Sequence, residues 1–202
     1  MSIQAEISQS IAEVVSEVIR NRKTVFADEF KAIPVPDDVI EAILTDAIWA
    51  PNHKLTQPWR FVQLDSESVR AEFGEYMLDF YRKKYTEAQF PPSRYESTRN
   101  YTLHGGSIIF IMMHRSQEEI LPEWEEIAAV SCAAQNIWLS CTARGLGTYW
   151  DTASATIGFG ERFRTSEKER CLGCFFIGYY DENDISRNRK RKPLQTKLIR
   201  IQ

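Results

Sequence analysis

IPVPDDVIEAILTDAIWAPNHKLTQPWRF, residues 33–61, packs a helix, a polar loop and the start of a strand into one continuous run. Pro36 suits a first helical turn, and Asp37 and Asp38 complement the positive end of a helix. Val39, Ile40, Ile43, Leu44 and Ala47 recur at helical spacing and predict a buried stripe. Pro51 ends that helix. "WRFVQL" (59–64) then reads as a strand. Between them lies "APNHKLTQPWRF" (50–61), with two prolines, a histidine, a lysine, a glutamine and a tryptophan. A simple turn needs none of that chemistry.

Outward from this run, helices and strands alternate unevenly. Residues 5–21 form an amphipathic helix pattern ended by "RNRKTV". Residues 66–88 read as a helix open to a break at Gly74, and Pro91, Pro92 and Ser93 as a loop. "SIIFIMMH" (107–114) is apolar throughout and reads as a buried strand. The longest helix pattern is 122–147, with three glutamates near its start and Arg144 and Gly145 at its end. Its middle is apolar or small nearly all round, which predicts burial at the centre. "GTYWDT" (147–152) reads as a short strand, "IGFGERFR" and "SEKER" as helical turns, "CLGCFFIGYY" (171–180) as a second buried strand, and "TKLIRI" (196–201) as a last strand. Paired helices before strands point to an α+β sheet covered by helices. No repeat or linker appears, so residues 1–202 read as one domain.

The 202-residue chain carries a net charge of −3, with 43% hydrophobic and 26% charged residues. A chain of this size can build its core without disulfide or metal staples. The acidic balance argues against nucleic acid. No signal-peptide pattern opens the chain and no apolar run is long enough for a membrane span, so a cytoplasmic protein with reduced thiols is expected.

Several chemistries find no support. "CLGC" (171–174) has redox spacing, but it opens an apolar strand instead of a helix, which favours core packing. The three histidines (His53, His104, His114) are scattered, so no metal site is expected. There is no dinucleotide fingerprint, P-loop or nucleophile elbow. Glu123, Glu125 and Glu126 read as helix-dipole partners. Two basic clusters, Arg22 with Lys23 and "RNRKRK" (187–192), lie beside apolar boundaries and suit a phosphate-bearing ligand. Phosphate binders, aromatic walls and the absence of an acid–base dyad describe an enzyme whose chemistry resides in a cofactor.

These pieces resemble the nitroreductase family over nearly the whole chain. "RKTV" (22–25) is similar to its Arg-Arg-Ser block and 33–61 to its most recognisable segment. The helix ending "ARGLGTYWDT" and "RNRKRKPL" (187–194) follow in the family's order. The His-Lys loop looks most like a compact subgroup. The resemblance implies a central mixed or antiparallel sheet flanked by helices, and a homodimer whose C-terminal strand can be exchanged. It implies FMN as cofactor and NAD(P)H as co-substrate. Arg22, Lys23 and Thr24 would hold the phosphate, ribityl and pyrimidine side. His53 would reach the flavin from the partner's side, with Gln57 nearby in the family's Gln-Pro-Trp. Trp150, Asp151 and Thr152 would line the ring, and Arg189 and Arg191 would close on the phosphate. The family often has a basic residue where Phe26 stands, so His53 or Lys54 is expected to supply that cation.

The activity implied is ping-pong hydride transfer from NAD(P)H to nitroaromatic or quinone-like electrophiles, with no side chain as nucleophile. Segment 66–104, rich in aromatics, either shapes the substrate pocket or packs on itself. Rival readings are a divergent flavoenzyme, a flavin-binding protein without turnover, and a nucleic-acid binder using the basic cluster.

Overall fold

The computed structural model describes residues 3–104, 106–116, 120–184 and 190–201. Its ten principal elements follow the order α1 (Ile3–Asn21), α2 (Asp37–Ala47), β1 (Trp59–Gln63), α3 (Glu67–Lys84), α4 (Pro92–His104), β2 (Ser107–His114), α5 (Glu123–Ala143), β3 (Gly147–Asp151), α6 (Ser154–Gly160) and β4 (Glu169–Gly178). The strands form one sheet in the order β1-β2-β4-β3, and every neighbouring pair is antiparallel. This meets the expectation of an α+β fold with a helix-flanked sheet.

Both faces of the sheet are covered, which explains why β2 lacks the usual polar alternation. Successive strand residues point to opposite faces. Ile109, Ile111 and Met113 of β2, with Phe175 and Ile177 of β4, pack against α2 and α5. Ile108, Phe110 and Met112, with Cys174 and Phe176, pack against α3 and α6. Each face therefore demands its own apolar set.

Local chemistry sets the element ends. The Ser66 hydroxyl accepts the Val69 N–H at 3.3 Å and caps α3, whose last turn carries Arg82, Lys83 and Lys84. Helix α5 opens with Glu123, Glu125 and Glu126 and closes at Gly145, whose φ is +68°. There the Leu146 N–H donates to Cys141 O at 2.9 Å and the Gly145 N–H to Thr142 O at 3.2 Å. This double bond pattern satisfies the carbonyls that the helix end leaves open.

A bulge interrupts the β2–β4 ladder: Phe110 faces Cys174, but Met112 faces Cys171. The extra residue turns Cys171 and Cys174 into the same core layer. Burial pushes the Cys171 thiol up to about 11 and the Cys174 thiol well above its ordinary range. The core-packing reading of "CLGC" holds; these are inert thiols.

Four local expectations need correction. Residues 92–104 are helical, although Pro91-Pro92-Ser93 reads as a loop; Pro92 instead occupies the first helical position, where its missing N–H is harmless. Helix α3 runs unbroken through Gly74, where a Cβ would lie 2.6 Å from Thr102 Oγ1 of α4; the glycine permits close packing of two helices. "SEKER" is a turn leading into β4, because Glu169 is drawn inward by Arg60. Residues 196–201 form no strand within the chain. A short 3-10 turn at Leu194–Thr196 is followed by exposed chain without assigned secondary structure.

Helix α5 also differs from expectation. Ala129, Val130, Ala133, Ala134, Ile137 and Cys141 are buried on one side, but Trp124, Ala128, Ser131 and Gln135 remain exposed on the other. The apolar residues of α1 are likewise uncovered: Ile11, Val14, Val15 and Ile19 are each at least half exposed.

Candidate active site

After α1, the chain runs beside the outer edge of β3. The Val25 N–H donates to Thr148 O at 3.2 Å, and the indole Nε1–H of Trp138 donates to the same oxygen at 3.2 Å. A Cβ on Gly147 would lie 2.8 Å from the Val25 Cβ, so the close approach requires glycine. This joint holds three sequence-predicted residues. The Arg22 guanidinium lies 4.6 Å over the Trp138 ring. The Lys23 ammonium is 3.2 Å from Glu182 and 5.0 Å from the Tyr180 ring. Thr24, next in the chain, is half-buried. Phe26 packs edge-on to Tyr149 at 5.2 Å between centroids, so no cation stands there.

The end of β3 adds three more. Trp150 stacks on Phe175 at 5.6 Å and donates its indole N–H to Leu172 O at 2.9 Å. The Asp151 carboxylate accepts the Ala153 N–H at 2.9 Å and the Thr156 hydroxyl, which fixes the first turn of α6. Its side chain thus anchors the backbone instead of facing outward. Thr152 follows, exposed. Beneath this edge, burial raises the phenol of Tyr149, with Tyr101 and Asp151 adding to the effect, so it stays protonated.

The polar loop forms a second group. Asn52 Oδ1 accepts the Gln57 N–H at 3.1 Å, tying the loop's ends together. Between them Lys54, Leu55 and Gln57 have φ of +53°, +56° and +43°, a left-handed conformation that costs energy in residues with a side chain. The Thr56 Oγ1 is buried without a hydrogen-bond partner. His53 is exposed, and its Nδ1 lies 2.7 Å from Glu125 Oε2 at the start of α5. Lys54 and Gln57 extend into solvent. Pro58 is buried, and its carbonyl accepts the His114 N–H at 2.7 Å, which launches β1.

The two groups meet α5 at different places: Arg22 at Trp138, His53 at Glu125. Thirteen residues at about 1.5 Å rise separate these points by roughly 20 Å. One chain therefore does not bring all the predicted residues together. Of the C-terminal residues, Arg191 is exposed and lies beside Lys190, while Arg189 falls outside the described residues. Among the described residues no group of three His, Cys, Asp or Glu is placed to hold a metal. Trp138 and Glu125 connect the groups to α5; the sequence reading gives Glu125 to the helix dipole and Trp138 no role, because neither contact is local in the chain.

The chain thus combines a helix-covered antiparallel sheet, an edge bearing cations and indoles, and a strained polar loop. Residues 19–179 match the Nitroreductase family, and the chain belongs to it. The expectation of a nitroreductase-type enzyme is thereby met. YfhC of Bacillus subtilis (strain 168), assigned by name to the NAD(P)H nitroreductases, is 27% identical over 190 residues, which cover 93% of this chain and 94% of the relative. The crystal structure of a nitroreductase-like family protein from Bacillus cereus superposes with a TM-score of 0.75 at 27% identity, covering 93% and 95% of the two chains. The FMN-dependent nitroreductase NfnB from Mycobacterium smegmatis, solved in complex with NADPH, shares the fold at a TM-score of 0.72 and 17% identity, covering 95% of this chain and all of its own.

The residues at the site suit FMN. Cations on a sheet edge match a phosphate. Indole faces match a flat ring. The strained loop, with its orphaned Thr56 hydroxyl, offers polar groups that the chain itself does not satisfy.

Proposed function

We propose that this chain is an FMN-dependent oxidoreductase that draws on NAD(P)H and reduces flat electrophiles such as nitroaromatics or quinones. FMN, when bound, supplies the hydride acceptor and donor. Family membership and the donor set at the β3 edge support the reading. Arg22, Lys23 and Thr24 hold the phosphate, ribityl and pyrimidine side, Arg191 and Arg189 close on the phosphate, and Trp150 to Thr152 line the ring. His53, Lys54 and Gln57 reach the cofactor from a second copy of the chain. The observation that carries this arrangement is the roughly 20 Å between Trp138 and Glu125 along α5. Both groups can serve one ligand only when two chains pair. The uncovered stripes on α1 and α5 provide a surface for that pairing. Residues 66–104, which comprise α3 and α4, shape the acceptor pocket. Four unpaired cysteines suit a reducing compartment such as the cytoplasm.

The test is an anaerobic titration of FMN-loaded protein with NADPH, followed by the flavin's visible absorbance. Bleaching near one equivalent is expected. A flavin that stays oxidised with both NADPH and NADH would point to binding without turnover. A chain that takes up no FMN would remove the basis for the assignment.

A further inference from the structure

His53 and Glu125 form a contact that cofactor binding alone does not require. The imidazole comes from the strained loop and the carboxylate from the first turn of α5, 72 positions later, and the two meet at 2.7 Å. A carboxylate accepts hydrogen bonds, so Nδ1–H donates to Glu125 and Nε2 is the nitrogen left to take up a second proton and pass it on. Both groups line an open cavity of about 300 Å³, walled by Pro51, Trp124, Ala128 and Cys132. The other charged neighbour on the loop is Lys54, and Cys132 is the further titratable group on the α5 side of the cavity.

We propose that Glu125 is a positioning residue for His53, and that His53 Nε2 delivers the proton that accompanies hydride transfer to an oxygen-bearing acceptor. The proposal rests on the functional reading above, which brings His53 from a second copy of the chain to the cofactor, where the acceptor is reduced. Reduction of a quinone consumes one hydride, supplied by NAD(P)H through the enzyme's redox centre, and one proton. The N–H bond at Nε2 breaks and an O–H bond forms on the acceptor. The electron pair of the broken bond stays on the imidazole, which becomes neutral with Nδ1–H still on Glu125. Water restores the proton before the next turnover. A carboxylate behind the imidazole fixes its tautomer and ring orientation.

The test compares wild type, Glu125→Gln and Glu125→Asp with two acceptors. A quinone needs the proton; ferricyanide takes an electron without one. Positioned proton transfer contributes about 10²–10⁴-fold. Glu125→Gln should therefore lower the quinone-to-ferricyanide rate ratio by about tenfold or more, with Glu125→Asp partly restoring it. In flavin-free protein, ¹⁵N NMR of the imidazole should show the Nδ1–H tautomer in wild type and its loss in Glu125→Gln. An unchanged rate ratio with normal flavin bleaching, or an unchanged tautomer, would overturn the proposal while leaving the flavoenzyme reading intact. A wild-type chain that is not bleached by NADPH or NADH would overturn both.

Discussion

Glu169 accepts the Arg60 Nε–H at 2.6 Å, the Arg60 Nη2–H at 2.7 Å and the Thr165 N–H at 2.6 Å. Arg60 also donates to Phe163 O. One carboxylate thereby joins β1, β4 and the turn after α6. The bonds from Arg60 hold its carboxyl down to about 2, against the opposing effect of burial. A carboxyl depressed in the folded state contributes stability above its ordinary range and loses it as pH falls towards 2. Glu169→Gln should therefore lower stability at pH 7 by about 3 kcal/mol, since it breaks a buried pair and leaves Arg60 uncompensated. It should also flatten the acid limb below about pH 4.5, the ordinary glutamate value. Urea midpoints at pH 7 and pH 3 check both effects. Lys54 offers a second test at this scale. If it replaces the cation missing at Phe26, Lys54→Met lowers the bound flavin's reduction potential, with about 30 mV corresponding to a tenfold change for a two-electron couple. An unchanged potential would defeat that role.

At the scale of elements, β3 and the bulge in β4 depend on each other. Gly173 sits at the bulge with φ of +111°, and a Cβ there would lie 2.2 Å from Asp151 O. Gly173→Ala must push the end of β3 outward, moving Trp150, Asp151 and Thr152 together. A melting point lower by roughly 3 °C, from a cost of at least about 1 kcal/mol, is expected for a domain of this size. FMN affinity should fall in the same variant. A variant that melts lower yet binds FMN normally would show that the β3 end does not line the cofactor. Helix α4 marks the limit of pattern reading. "PSRYESTRNYTLH" has no continuous apolar stripe, and it packs on α3 through Tyr101, against Met77, and Thr102, against Gly74. Thr98 and Thr102 bond their own helix at Arg94 O and Arg99 O, which makes them fit for burial.

At the scale of the molecule, the chain leaves its own apolar surface uncovered. Val14, Val15 and Ile19 on α1 lie beside Trp49, which is 82% exposed, and Leu139 and Ala143 of α5 continue the patch. Patches of this kind mark association surfaces. If this patch is the pairing surface proposed above, a charge at its centre, Val15→Glu, should give a monomer on size exclusion and release FMN, because each proposed site would lose the second copy's His53 loop. A monomeric variant that retains FMN would refute the shared site. No described helix is long and apolar enough to cross a membrane.

Much of this was legible in residues 33–61 and 107–114. Pro36, the Ile40-Ile43-Ala47 stripe and Pro51 delimit α2, and "SIIFIMMH" matches β2 residue for residue, because period and turn chemistry act over a few neighbours. The family's motifs single out Arg22, His53 and Trp150 by type and order, while their proposed roles await the cofactor experiments above. Tertiary structure alone decided that Arg22 and His53 stand at opposite ends of α5, that Glu169 turns inward to Arg60, and that Glu125 meets His53. Those are contacts between residues tens of positions apart, and they exist only once the sheet has brought their elements together.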